Sequence, residues 1–168
     1  MSDSFTVLHE DEHQRIQSLI TKLHGDASAK IVSLIDKNGQ QIAVQGDTKN
    51  LDVLSLACLT AGNVAATDGL ARLLGEREFS VLFHEGEHDN IHISVVARRA
   101  ILIIVFDDRS SLGLVRLRVK KASVELENVL VGAVAKTEVA AGKIDSALGS
   151  SPFAEITDDD IESLFRNL

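Results

Sequence analysis

The sequence predicts an α+β protein: one five-stranded, largely antiparallel sheet with helices on its faces, in the order α-β-β-α-β-β-β-α. Three observations carry this. Apolar residues recur at helical spacing in three long segments, five short apolar runs lie between those segments, and turn-forming residues separate the runs. At 168 residues, one domain plus a tail is expected, large enough to bury a core without a disulfide or metal staple.

Ile16, Leu19, Ile20 and Leu23 step by 3, 1 and 3 in a polar background, which reads as a first amphipathic helix ending at Gly25. Two strands, Lys30–Asp36 and Gln41–Gln45, flank Lys37-Asn38-Gly39-Gln40, and Asn-Gly between apolar runs marks a hairpin. A second helix is expected from about Asp52 to Leu74, with Asn50 or Asp52 as its cap and Gly75 beyond its end. Three strand-like runs follow: Phe79–His84, Ile91–Ala97 and Ala100–Phe106. The middle run alternates, with Ile91, Ile93 and Val95 opposite His92, Ser94 and Val96. The last is apolar throughout and belongs at the centre, covered on both faces.

A third helix runs from Leu112 to about Lys136. Its seam, Val115, Val119, Ala122, Leu126, Val129 and Ala133, steps by 4 and 3 in alternation. The composition changes after Glu138. We therefore divide the chain into a domain at 1–138, a flexible linker at 139–151 rich in Ala, Gly and Ser, and an acidic helical motif at 152–168. In that motif Thr157 is placed as a helix cap with Asp160 three residues on, and Ile156 and Ile161 form a hydrophobic staple. So short a helix is marginal alone, and its apolar edge of Ile161, Leu164 and Phe165 calls for a surface to bind.

Composition narrows the function. With 25 acids against 17 bases and a net charge of −8, attraction to nucleic acid or an anionic membrane surface is disfavoured. The uncharged stretch from Val53 to Thr67 falls short of the roughly 20 residues that span a bilayer. The N-terminus lacks the pattern of a secretory signal, and the lone Cys58 excludes an intramolecular disulfide, so a cytoplasmic location is expected.

No catalytic residue, cofactor or metal site is assigned. His84-Glu85-Gly86-Glu87-His88 matches H-E-x-x-H literally, but strand-like runs and an Asp89-Asn90 turn surround it. It reads as a polar turn, and a zinc hydrolase is the remotest alternative. A phosphate-cradling G-x-x-x-x-G-K-[ST] loop is absent. Cys58 is expected to pack in an apolar helix interior. Arg109 either acts as an arginine finger on a phosphoryl group or pairs with Asp107 or Asp108, and the pair is favoured. Arg116, Arg118, Lys120 and Lys121 read as a solvated basic edge, matched against Glu125 and Glu127.

The second helix is the informative element. One buried face does not account for a helix without charge on any side over Val53–Thr67. Leu56, Leu59, Ala66, Leu70 and Leu73 make a bulky face suited to the sheet. Ala57, Ala61, Ala65 and Gly69 recur every four residues, with Cys58 and Gly62 alongside, as a small-residue ridge suited to close approach by a partner.

These segments resemble the roadblock family. The resemblance rests on AKIVSLIDKNGQ (Ala29–Gln40), SLACLTAGNVAATDGLARLLGEREF (Ser55–Phe79), FHEG (Phe83–Gly86), FDDRSSLGLVRLRVKKAS (Phe106–Ser123) and SPFAEITDDDIESLF (Ser151–Phe165). It implies a roadblock/longin-like sheet sandwiched by helices, and a homodimer whose third strands, here with Phe79, Val81, Leu82 and Phe83, pair across a two-fold axis. It further implies a polarity or motility regulator that activates a small bacterial Ras-like GTPase of the MglA type. Two subunits would hold one GTPase and reposition the GTPase's own catalytic Arg and Gln, without an active site of their own. Carried over by position, the platform for that GTPase is Ala61, Gly62, Ala65, Ala66 and Gly69. The terminal helix, through Phe153, Ile156, Ile161, Leu164 and Phe165, is implied to contact the GTPase and to promote nucleotide exchange. A cytoplasmic protein concentrated at a cell pole is the corresponding location. The alternative reading is a non-catalytic scaffold for a GTPase or motor complex.

Overall fold

The computed structural model describes residues 8–148, with side chains to Val139. The chain divides into two units, 1–133 and 134–168. The first holds α1 (Glu10–Asp26), β1 (Ile31–Asp36), β2 (Gln41–Gly46), α2 (Val53–Leu74), β3 (Val81–His84), β4 (Asn90–Val96) and β5 (Ala100–Phe106), and also most of the buried seam of α3 (Leu112–Leu148). The element order is the expected one.

Local chemistry sets the helix boundaries. At the start of α1 the His9 amide donates to the Glu12 carboxylate at 3.0 Å. Asp52 caps α2, its carboxylate accepting from the Ser55 amide at 3.0 Å and from the Ser55 hydroxyl. Those bonds hold the Asp52 carboxyl below the usual carboxylate range. Gly75 ends α2 at φ +75°, the left-handed cap that glycine adopts without strain. The Leu114 amide bonds the Ser111 hydroxyl at 3.2 Å and so opens α3.

The third helix departs from expectation at its far end. It continues to Leu148, so the segment 139–148, read as linker from its Ala and Gly content, is helical. Alanine is the strongest helix former, and the single Gly142 does not offset its neighbours. The expected acidic motif at 152–168 lies outside the described residues.

The sheet order is β2-β1-β5-β4-β3, and every neighbouring pair is antiparallel. The apolar run β5 is central and buried at every position. Alternation along it separates two cores. Leu102, Ile104 and Phe106 meet Ile16, Ile20 and Leu23 of α1 and Val115, Val119, Leu126 and Val129 of α3. Ile101 and Ile103 join Ile35, Ile93 and the small residues Ala57, Ala61 and Val64 of α2. The chain leaves the sheet at the β2 edge and re-enters at the β3 edge, with α2 as the connection.

Candidate functional site

The buried residues of α2 are Ala57, Thr60, Ala61, Val64 and Ala71. Most of its leucines point the other way: Leu54, Leu59 and Leu73 are 71%, 75% and 82% exposed. The expected assignment put Leu56, Leu59, Ala66, Leu70 and Leu73 on the sheet and Ala57, Ala61, Ala65 and Gly69 outward. It holds for Leu56 and Ala65 and is reversed for Leu59, Ala66, Leu70, Leu73, Ala57 and Ala61. The reason is distance. At Gly39, in the β1–β2 turn, a Cβ would stand 3.2 Å from the Cα of Cys58, so turn and helix backbones almost touch. Alanines fit beneath a helix held that close, and leucines do not.

The expected platform residues therefore divide. Ala61 is 7% exposed and packs under the helix. Gly62, Ala65 and Ala66 are exposed, and Gly69 is half-buried. Cys58, expected to be packed, is exposed. Around these small residues stand Leu54, Leu59, Leu70 and Leu73, which sequence reasoning placed inward or passed over. The uncharged circumference of α2 signalled two apolar faces, yet periodicity alone could not say which face the sheet would take.

Beside this helix lies the β3 edge. Val81 is half-exposed, Leu82 packs toward the α2 side, and Phe83 turns to the other face, its ring stacked on Phe106 at 6.3 Å between centroids. Phe79, expected within the strand, precedes it; pairing begins where the Val95 amide donates to the Ser80 carbonyl. The side chains of Asn63 and His84 meet at 2.9 Å and tie α2 to β3. An edge strand and an exposed apolar helix thus adjoin, one offering main-chain hydrogen bonds and the other apolar area. By length and composition α2 also passes for a bilayer-crossing helix, but its Ala57, Ala61 and Val64 side is a sheet-packing face.

The remaining candidates fall in place around this face. His84 ends β3 and His88 lies in the turn after it, so H-E-x-x-H is not on a helix. Among the described residues no three His, Cys, Asp or Glu side chains are grouped to hold a metal ion. Arg109 takes the expected pair: its Nε donates to both Asp107 oxygens at 2.9 and 3.1 Å while the side chain stays 65% exposed. That bond holds the Asp107 carboxyl below its ordinary value and raises the Arg109 guanidinium. Arg116, Lys120 and Lys121 are exposed as expected; Arg118 is half-buried, its Nε enclosed.

An antiparallel five-stranded sheet carrying one crossing helix on one face and two helices on the other defines a class, and residues 16–106 match the Roadblock/LC7 domain. The chain belongs to that family. Within it, the chain is similar to Myxococcus xanthus MglB, at 52% identity over 76% of this chain and 96% of that one, with a TM-score of 0.73. The gliding protein MglB of Thermus thermophilus is 33% identical over 74% and 94% of the two chains, with a TM-score of 0.70. A further MglB structure, described as having a tetrameric arrangement, is 32% identical over 76% and 96%, with a TM-score of 0.71. No curated protein matches the chain.

Proposed function

We propose that this protein is a homodimeric activator of GTP hydrolysis by a small Ras-like GTPase of the MglA type. The observation that carries the reading is the outward face of α2, apolar and uncharged from Leu54 to Gly62, beside the β3 edge. In this reading β3 edges pair between two copies, the two α2 helices lie side by side, and the GTPase seats on Gly62, Ala65, Ala66 and Gly69. The activator brings no active site; it shifts the GTPase's own catalytic Arg and Gln into place. The similarity to MglB supports the choice of partner class. A cytoplasmic, pole-concentrated protein follows from the same reading. The terminal residues Phe153, Ile156, Ile161, Leu164 and Phe165, outside the described residues, would add a second contact that favours nucleotide exchange.

The test is GTP hydrolysis by the cognate GTPase, measured with and without the full chain. Stimulation is expected; binding without stimulation would replace the activator with a scaffold. Arg109→Ala should retain most of the effect, because Arg109 is engaged by Asp107. Loss by about 10³-fold would instead make Arg109 the finger.

A further inference from the structure

At the end of the sheet where the β1–β2 and β4–β5 turns lie side by side, a cavity of 630 Å³ opens. That is the volume range of sites for small organic ligands, about 300–1,000 Å³. Its lining brings together five cations, Lys37, Arg72, Arg77, Arg98 and Arg99, against three acids, Asp36, Asp68 and Glu78. A locally basic site is unexpected in a chain whose formal charge is −8.

The acids offset only part of this charge. The Asp36 carboxylate already accepts from the Asn38 and Gln40 amides. Lys37 stands 4.0 Å from Asp68 and Arg98 stands 3.9 Å from Glu78, separations too long for strong hydrogen bonds. Among the described residues, the side chains of Arg77 and Arg99 make no hydrogen bond or ion pair. Leu8, Ile42 and Leu130 add apolar lining to the same cavity.

The β4–β5 turn adds an independent sign. Ala97 and Arg98 both adopt left-handed backbone, at φ +51° and +57°. A turn of this kind ordinarily takes Asn-Gly. Strained backbone that sequence could relieve is typical of ligand-binding loops, and here it presents Arg98 and Arg99 to the cavity.

We propose that this cavity binds a phosphate ester of nucleoside-monophosphate size, with the phosphate on Arg77, Arg98 and Arg99 and the body on Leu8, Ile42 and Leu130. Guanidinium forks match phosphate oxygens in a way that a single ammonium does not. Asp68 and Asn38 supply hydrogen-bonding partners for hydroxyl groups on the body. The site is assembled from segments distant in sequence, so it carries no phosphate-loop motif. It is independent of the GTPase-activator reading.

The test uses the full-length protein and titrates AMP and GMP by calorimetry, with amide chemical shifts as the second readout. Adenosine serves as the uncharged body and inorganic phosphate as the bodiless anion. Saturable nucleotide binding is expected with a Kd below about 1 mM, the weak end of specific binding. Shifts should centre on residues 37–40 and 97–99, and adenosine and phosphate should each bind at least about tenfold more weakly. Arg77→Ala and Arg99→Ala should each weaken nucleotide binding about tenfold, the scale of a lost charge-assisted hydrogen bond. Arg99→Lys should recover only part of it, and Arg15→Ala, an exposed base on α1, should change nothing. Arg77 and Arg99 are exposed, and a thermal melt checks that each variant folds. Absence of saturation, phosphate binding as tightly as nucleotide, full binding by the Arg77→Ala/Arg99→Ala double variant, or equal loss in Arg15→Ala would each overturn the proposal.

Discussion

On one face of the sheet, α1 and α3 bury Ile16, Ile20, Leu126 and Val129 against Leu102 and Ile104. On the other, a single helix buries Ala57, Ala61 and Val64 with Leu56 partly buried beside them, and holds Leu54, Leu59, Leu70 and Leu73 in solvent. Both faces are apolar in sequence, yet only the first uses its bulk for stability. On the second, most of the bulk is exposed. An exposed apolar face of this kind is the feature on which the proposed partner contact rests.

The largest effect expected from breaking this contrast is on binding. Ala65→Arg with Gly69→Arg places two charges on the outward face; Ala65 is exposed, and a Cβ at Gly69 meets nothing within 4 Å. The fold should hold while GTPase affinity falls at least about a hundredfold, the scale of burying a charge without a partner. Normal stimulation by this variant would remove α2 as the platform.

A paired truncation sharpens the comparison by stability. Leu126→Ala, at a fully buried position under α3, should cost about 2–5 kcal/mol in urea unfolding. Leu59→Ala should change the stability of dilute protein by no more than about 0.5 kcal/mol and weaken self-association or GTPase binding instead. Comparable losses would mean that both faces serve the core alike.

The smallest effect is a pH dependence confined to the α1/α3 face. His92 of β4 is 1% exposed, beside Phe83 and Ile104 in the sheet, and its Nδ1 has no hydrogen-bond partner. Burial, with a smaller contribution from Arg116 on α3, pushes its pKa below the ordinary histidine value. The unfolded chain therefore takes up this proton first as pH falls. The stability associated with neutral His92 is complete above about pH 6.5 and declines as pH drops through that value toward the lowered one. Urea midpoints across this range should fall for the native chain and fall less steeply for His92→Gln. Parallel slopes would assign the dependence to other groups.

Much of this was legible beforehand because it is local. Asn38-Gly39 between apolar runs, Asp52 and Gly75 around α2, and the unbroken apolar run of β5 each specify their own structure within a few residues. The Arg109 pair was readable for the same reason, since Asp107 is two residues away. The second helix was only half legible: the uncharged stretch of α2 signalled two apolar faces, but Ala61 and Leu59 fall on the sides opposite to those expected. The end of α3 was misread because Ala and Gly together resemble a linker by composition, whereas Ala alone favours helix.

By itself, then, the sequence determined the order of elements, their caps and turns, and which strand lies at the centre, since hydrogen-bonding chemistry and apolar periodicity act over short spans. Which side of α2 turns inward was decided only by tertiary structure. The hydrophobic effect rewards burial of apolar area without direction, so a helix apolar on both sides has two candidate orientations. The close approach of the β1–β2 turn at Gly39 removes one of them, because steric fit admits Ala57 and Ala61 there and leaves Leu59 and Leu73 outside. The basic cavity is likewise tertiary: Lys37, Arg77 and Arg99 are far apart in the chain, and their charges converge only when the two hairpin turns and the end of α2 are brought together.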